Sequence, residues 1–149
     1  VTIYNLAGAT DVVVDVAGWY TDATGSGAAS AFTAVTPARV IDTRDGTGGI
    51  TGPLPGGTIV GLQVTGQGGV PAAGVGAVIL NATVTQPADA GYLTLSPTGP
   101  PRPFVSDLDY AAGETRGNLA VVRVGDGGRV NLFTTSRTHV VLDVAGWFS

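Results

Sequence analysis

The chain holds one imidazole, His139, and no cysteine, so nucleophilic or metal-assisted chemistry would need His139, hydroxyls such as Ser106 and Ser136, and carboxylates such as Asp107. No spacing among them sets a nucleophile beside a base and an orienting group. Asp42, Asp45, Asp107, Asp109 and Asp143 supply the hard oxygen ligands that calcium takes, but their spacing fits no EF-hand or glycine-aspartate repeat loop. Asp45 and Asp126, each in a glycine-rich stretch, are the candidate metal ligands. The competing reading is that they cap turns. We therefore expect no catalytic residue, no enzyme and no bound cofactor, with calcium as the one metal to consider.

Two acids stand in less ordinary places. Asp15 and Asp143 each interrupt a run of valines, where a carboxylate needs water or a partner. Arg39 and Arg44 are the expected partners of Asp143 in a structural ion pair. Asn81, between Leu80 and Ala82, is expected to hydrogen-bond a neighbouring loop, although Asn81-Ala82-Thr83 also has the form of a glycosylation acceptor.

The elements that carry these residues repeat. Val12-Val13-Val14-Asp15-Val16-Ala17-Gly18-Trp19-Tyr20 returns as Val140-Val141-Leu142-Asp143-Val144-Ala145-Gly146-Trp147-Phe148, 128 positions later. Val1-Thr2-Ile3-Tyr4 answers Val130-Asn131-Leu132-Phe133 at a spacing of 129, so one residue differs in the intervening turn. His139 has Asp11 as its counterpart, and a position that varies between copies reads as a strand or turn site facing solvent. The pattern is one period of a repeat preceded by the closing hairpin of another.

Composition narrows the class. At 44% hydrophobic and 12% charged residues over a length of 149, the chain is a folded domain with a bland surface and not a disordered one. All seven basic residues are Arg, the net charge is −4, and Met and Cys are both zero. Scattered arginines on an acidic chain do not make a nucleic-acid surface. No apolar run is long enough to span a bilayer as a helix. The lack of methionine points to a piece of a longer polypeptide, with any export signal upstream of Val1. A surface free of Lys, Met and Cys suits a durable extracellular material; a GC-rich coding bias accounts for the arginines equally well.

Period-two alternation predicts strands at 1–6 and 10–20, joined by Ala7-Gly8-Ala9, then at 32–44, 58–66, 76–86, 91–96, 104–110, 117–125, 129–135 and 138–148. Glycine and proline clusters separate them. The small polar residues of 21–31 form the linker. Eight strands without a helix must cover their faces with a second sheet, so residues 32–149 are expected to form an all-β, two-sheet sandwich of jelly-roll or Greek-key type. A closed barrel is the second choice. Residues 1–20 are expected to add a β-hairpin duplicating the C-terminal one.

Phe32-Thr33-Ala34-Val35-Thr36-Pro37-Ala38-Arg39-Val40-Ile41-Asp42-Thr43-Arg44, Gly69-Val70-Pro71 before Ala77-Val78-Ile79-Leu80-Asn81-Ala82-Thr83-Val84-Thr85, and Asp143-Val144-Ala145-Gly146-Trp147-Phe148 together resemble tandem repeats of large secreted and cell-surface proteins of actinobacteria and other environmental bacteria. The resemblance covers residues 32–148. It implies an exported, non-catalytic β module, with no residue-level role to transfer.

The functional expectation is a structural repeat of an extracellular filament, stalk or surface layer. Its partners would be like units, met head-to-tail through strand or hairpin pairing. Val12, Val14, Val16, Trp19, Tyr20, Trp147 and Phe148 are the expected assembly residues. The first twenty residues would either belong to a preceding unit of the same polypeptide or dock on another subunit by donor-strand complementation. With no Lys, isopeptide cross-links cannot form. The alternative is a carbohydrate-binding or adhesive module, in which Trp19-Tyr20 and Trp147-Phe148 stack on polysaccharide; exposed, coplanar rings at Trp147 would favour it.

Overall fold

The computed structural model describes residues 2–16, 18–19 and 30–149. Two antiparallel four-stranded sheets face each other across an aliphatic core. Their strands are β1 (Phe32–Asp42), β2 (Ile59–Gln63), β3 (Ala77–Thr85), β4 (Gly91–Pro97), β5 (Leu108–Tyr110), β6 (Arg116–Arg123), β7 (Arg129–Thr134) and β8 (His139–Phe148). The first sheet runs β1-β8-β3-β6 and the second β2-β7-β4-β5, which is the strand order of a jelly roll. The eight strands expected for residues 32–149 are all present; the fifth is shorter than expected, starting at Leu108 and not at 104.

Alternation decides which side chains fill the middle. Along β3, Val78, Leu80, Ala82 and Val84 are fully buried while Ala77, Ile79 and Thr83 are half-covered and Asn81 faces solvent. Along β7 and β8, Val130, Leu132, Val140, Leu142 and Val144 point inward. Val75 and Val124 only flank this core. One face of each sheet thus carries the apolar burden, as the period of two requires.

The closing pair departs from the hairpin expected of it. β7 pairs with β2 and β4, whereas β8 pairs with β1 and β3, so the turn after Thr134 crosses from one sheet to the other and the two strands share no ladder. Each is flanked on both sides. Together they are the middle of the molecule, and of the consecutive strands only β4 and β5 form a paired hairpin.

Residues 2–16, 18 and 19 carry no strand, and all of them are exposed. In the single chain this segment is folded unlike the C-terminal pair it matches in sequence. A two-stranded pair with no further sheet to cover it is marginal at best in water. Tyr20 and linker positions 21–29 lie outside the described residues. Beyond them, Ser30 and Ala31 bond to Ser149, with Ser149 N–H donating to the Ala31 carbonyl at 3.1 Å and Ala31 N–H to the Ser149 hydroxyl at 3.0 Å. The chain therefore enters and leaves the sandwich at one place.

Candidate functional site

The densest polar chemistry lies where β1 ends against β8. Register shifts in β1, one of them between Arg39 and Ile41, place Val40 and Ile41 both inward and leave Arg39 on the outer face directly across from Asp143. Arg39 donates to Asp143 through Nε at 2.9 Å and Nη2 at 3.3 Å. Its Nη1 reaches Asp42 Oδ2 at 3.1 Å. Arg44 does not join Asp143; it turns back on Asp42, through Nε at 2.9 Å, Nη2 at 2.6 Å and its backbone N–H at 3.0 Å.

Asp42 is thus the hub, a part the sequence did not single out. Its carboxylate is 1% exposed yet held well below the ordinary Asp range, because hydrogen bonds from Arg44 outweigh the cost of burial. Its carbonyl accepts from Asp45 and Gly46 N–H and closes the following turn. Gly48 sits in this turn at φ +80°, where a side chain would run into the Val40 carbonyl. Thr43, next along, receives the Val140 N–H at 3.0 Å and lies 2.9 Å from His139 Nδ1. Asp42, Thr43 and Arg44 hence lock the opening strand to the closing one. The signal available in the sequence was three polar residues in succession at the end of an apolar strand.

The other candidates are scattered. His139 is half-buried and engaged with Thr43, not turned to solvent. Asp107 accepts the Leu95 N–H at 2.7 Å, and burial pushes its pKa up. Ser106 bonds Asp109 at 3.1 Å, and Ser136 bonds the Asp89 carbonyl at 2.9 Å. Asp45 accepts the Thr47 N–H at 2.9 Å, the turn-capping role. Asp126 sits in the 3-10 turn before β7 and packs beside Gly99. Among the described residues no three His, Cys, Asp or Glu side chains come together as a metal cluster. Asn81 stands exposed on the outer face of the first sheet, between Leu119 and Asp143 in register.

The aromatic residues divide into two groups. Trp147 is half-buried against the core, and Phe148 meets Phe32 with ring centroids 5.3 Å apart at 47°. These are packed rings and not a coplanar platform. A second group, invisible in the sequence, lies on the outer face of the other sheet. The loop after β4 folds over that face, with Thr94 donating to the Val105 carbonyl at 2.6 Å. It brings the Arg102 guanidinium 3.9 Å from the centre of the Phe133 ring, beside Tyr92 at 6.1 Å and the 93% exposed Phe104. A cleft of about 620 Å³ opens between Gly18-Trp19 and Gly76, Ala77, Val121, Arg123 and Phe148. Arg123 is the one ionisable side chain among these described residues.

The expected assembly residues Val12, Val14, Val16 and Trp19 remain open, at 53%, 64%, 84% and 82% exposure. Their counterparts Val140, Leu142 and Val144 are buried, and Trp147 is half-buried. The same sequence therefore occurs in this chain once satisfied and once unsatisfied. No protein-family model matches the chain, and neither does any curated protein or solved structure.

Proposed function

We propose that this chain is a structural repeat of an extracellular filament, stalk or surface layer, assembled with like units through strand pairing. The observation that carries the reading is the N-terminal duplicate of the closing segment, which presents Ile3, Val12, Val13, Val14, Val16 and Trp19 to solvent. So many large apolar side chains exposed within one short segment support its reading as an interaction segment. The polar clusters are consistent with a structural role: Asp42, Arg44, Thr43 and His139 are occupied with one another in holding β1 to β8. The exported location rests on the resemblance of residues 32–148 to secreted repeats and on the absence of Lys, Met and Cys.

Immunogold labelling with antibodies against residues 30–149 tests it on intact and lysed cells of the producing organism. Label on the outer surface of intact cells, in lines or layers, is the expected result. Label confined to lysed cells overturns the reading.

A second reading, an adhesive or carbohydrate-binding module, is favoured by the Tyr92, Phe133, Arg102 and Phe104 patch and not by Trp147. Retention on insoluble polysaccharide that is lost in Phe104→Ala and Tyr92→Ala would replace the first reading with this one.

A further inference from the structure

We infer that residues 1–20 are the last two strands, the β7 and β8 equivalents, of another jelly roll, completed by six strands of a like unit that precedes them in the same polypeptide. This rests on the repeat reading above and adds which strands are supplied, which slot they fill and which partner receives them.

Position by position, the first copy lacks what the second copy has. Ile3, Val12, Val14 and Val16 are 59%, 53%, 64% and 84% exposed, whereas their counterparts Leu132, Val140, Leu142 and Val144 are exposed by 1% or less. Gly146 is glycine because the Phe32 ring and the Thr33 carbonyl lie where a side chain would stand; Gly18 has nothing within 4 Å of that position. A glycine is thus repeated where only a missing aromatic of an opening strand would require it. Thr138 is buried and donates to the Thr85 carbonyl, and its counterpart is the exposed Thr10. Asp143 is gripped by Arg39, and its counterpart Asp15 is exposed. His139 meets the Thr43 hydroxyl, a contact that Asp11 can also make as an acceptor.

Topology then selects the partner. β7 and β8 are central strands in separate sheets, each with a neighbour on both sides. Residues 1–20 therefore need two open slots facing each other, and an exposed sheet edge satisfies only half of one strand. A complete second copy offers no such slots, because its own β7 and β8 fill them. The acceptor is a unit whose strands end with a β6 equivalent, leading directly into Val1. Docking in trans would first have to expel a pair of strands whose inward side chains are fully buried, whereas the arrangement along one polypeptide displaces nothing.

The test joins a second copy of residues 30–129 upstream of the full 149-residue chain and follows amide hydrogen exchange. Val12, Val14 and Val16 should exchange at least 100-fold more slowly in the extended protein than in the single chain, approaching Val140, Leu142 and Val144. Val14→Asp with Val16→Asp in the extended protein should abolish that protection and leave residues 30–149 protected. An extended protein that aggregates, or whose upstream copy stays unprotected, overturns the inference. Sedimentation of the 149-residue chain supplies the second measurement: a monomer up to high concentration agrees with filled slots, and polymers lost in Val14→Asp would show docking in trans instead. None of these readouts depends on cell location or on what the surface adheres to, so they can fail while the structural role stands, and the reverse.

Discussion

Arg39 holds Asp143 with two of its nitrogens and Asp42 with a third, so that one guanidinium spans the seam between the first and last strands of the unit. The two acids differ in how much they lose without it. Asp42 is buried and receives Arg44 as well, so Asp42→Asn leaves Arg44 without its carboxylate partner and Arg39 with Asp143 alone, and should cost about 2 kcal/mol. Asp143 is partly open and its partner is 44% exposed, so Asp143→Asn should cost under about 1 kcal/mol. Urea unfolding midpoints of the two variants measure the contrast.

Asp42 and Asp107 make opposite contributions to the pH dependence. A carboxylate held below its ordinary value, as Asp42 is, stabilises the fold fully above the unfolded-state value. That stability is lost as pH falls from about 4 downward. Asp107 has the opposite sign: burial, against the pull of the Leu95 N–H, raises it, so its contribution declines as pH rises from about 4 toward the raised value. Stability measured from pH 2 to 7 should show a shallower acid limb in Asp42→Asn. Asp107→Asn should remove the opposing slope.

Gly146 and Gly18 should respond differently to one methyl group. Gly146→Ala forces a side chain into the Phe32 ring and should cost about 2 kcal/mol by overpacking. Gly18→Ala, with open space around it, should change the single chain by less than about 0.5 kcal/mol. Phe32→Ala should recover part of the Gly146→Ala loss, and thermal unfolding of the double variant reports the coupling.

Leu142 and Val14 occupy equivalent sequence positions in opposite circumstances. Leu142→Ala empties a site of 0% exposure and should cost about 3 kcal/mol. Val14→Ala should be nearly silent in the 149-residue chain and costly once a preceding six-strand partner is attached. Denaturant unfolding of both proteins gives the comparison.

Ala31 and Ser149 are hydrogen-bonded neighbours, so in the proposed tandem arrangement neighbouring sandwiches would be entered and left at one end. They should hang beside one another from a linker whose residues 21–29 reach at most about 30 Å. Small-angle scattering of a protein with several units should show a spacing set by that reach. A rod whose length grows by one full sandwich per unit contradicts it.

The strands of residues 32–149 and the buried faces of β3, β7 and β8 were legible in the sequence, because alternation along a strand is a local pattern that any covering sheet reads in the same way. The duplication of the closing segment was legible too, since it needs only one copy to be compared with the other. Which strands become neighbours was not. Adjacent in sequence, β7 and β8 look like a hairpin, and only long-range pairing with β1, β2, β3 and β4 sends them to different sheets. The Asp42 hub and the Arg102 to Phe133 contact were hidden for the same reason: each depends on a bulge or a loop that carries side chains across a sheet, and sequence separation holds no record of that distance. Local chemistry fixed what each strand is, and tertiary packing decided where each one belongs.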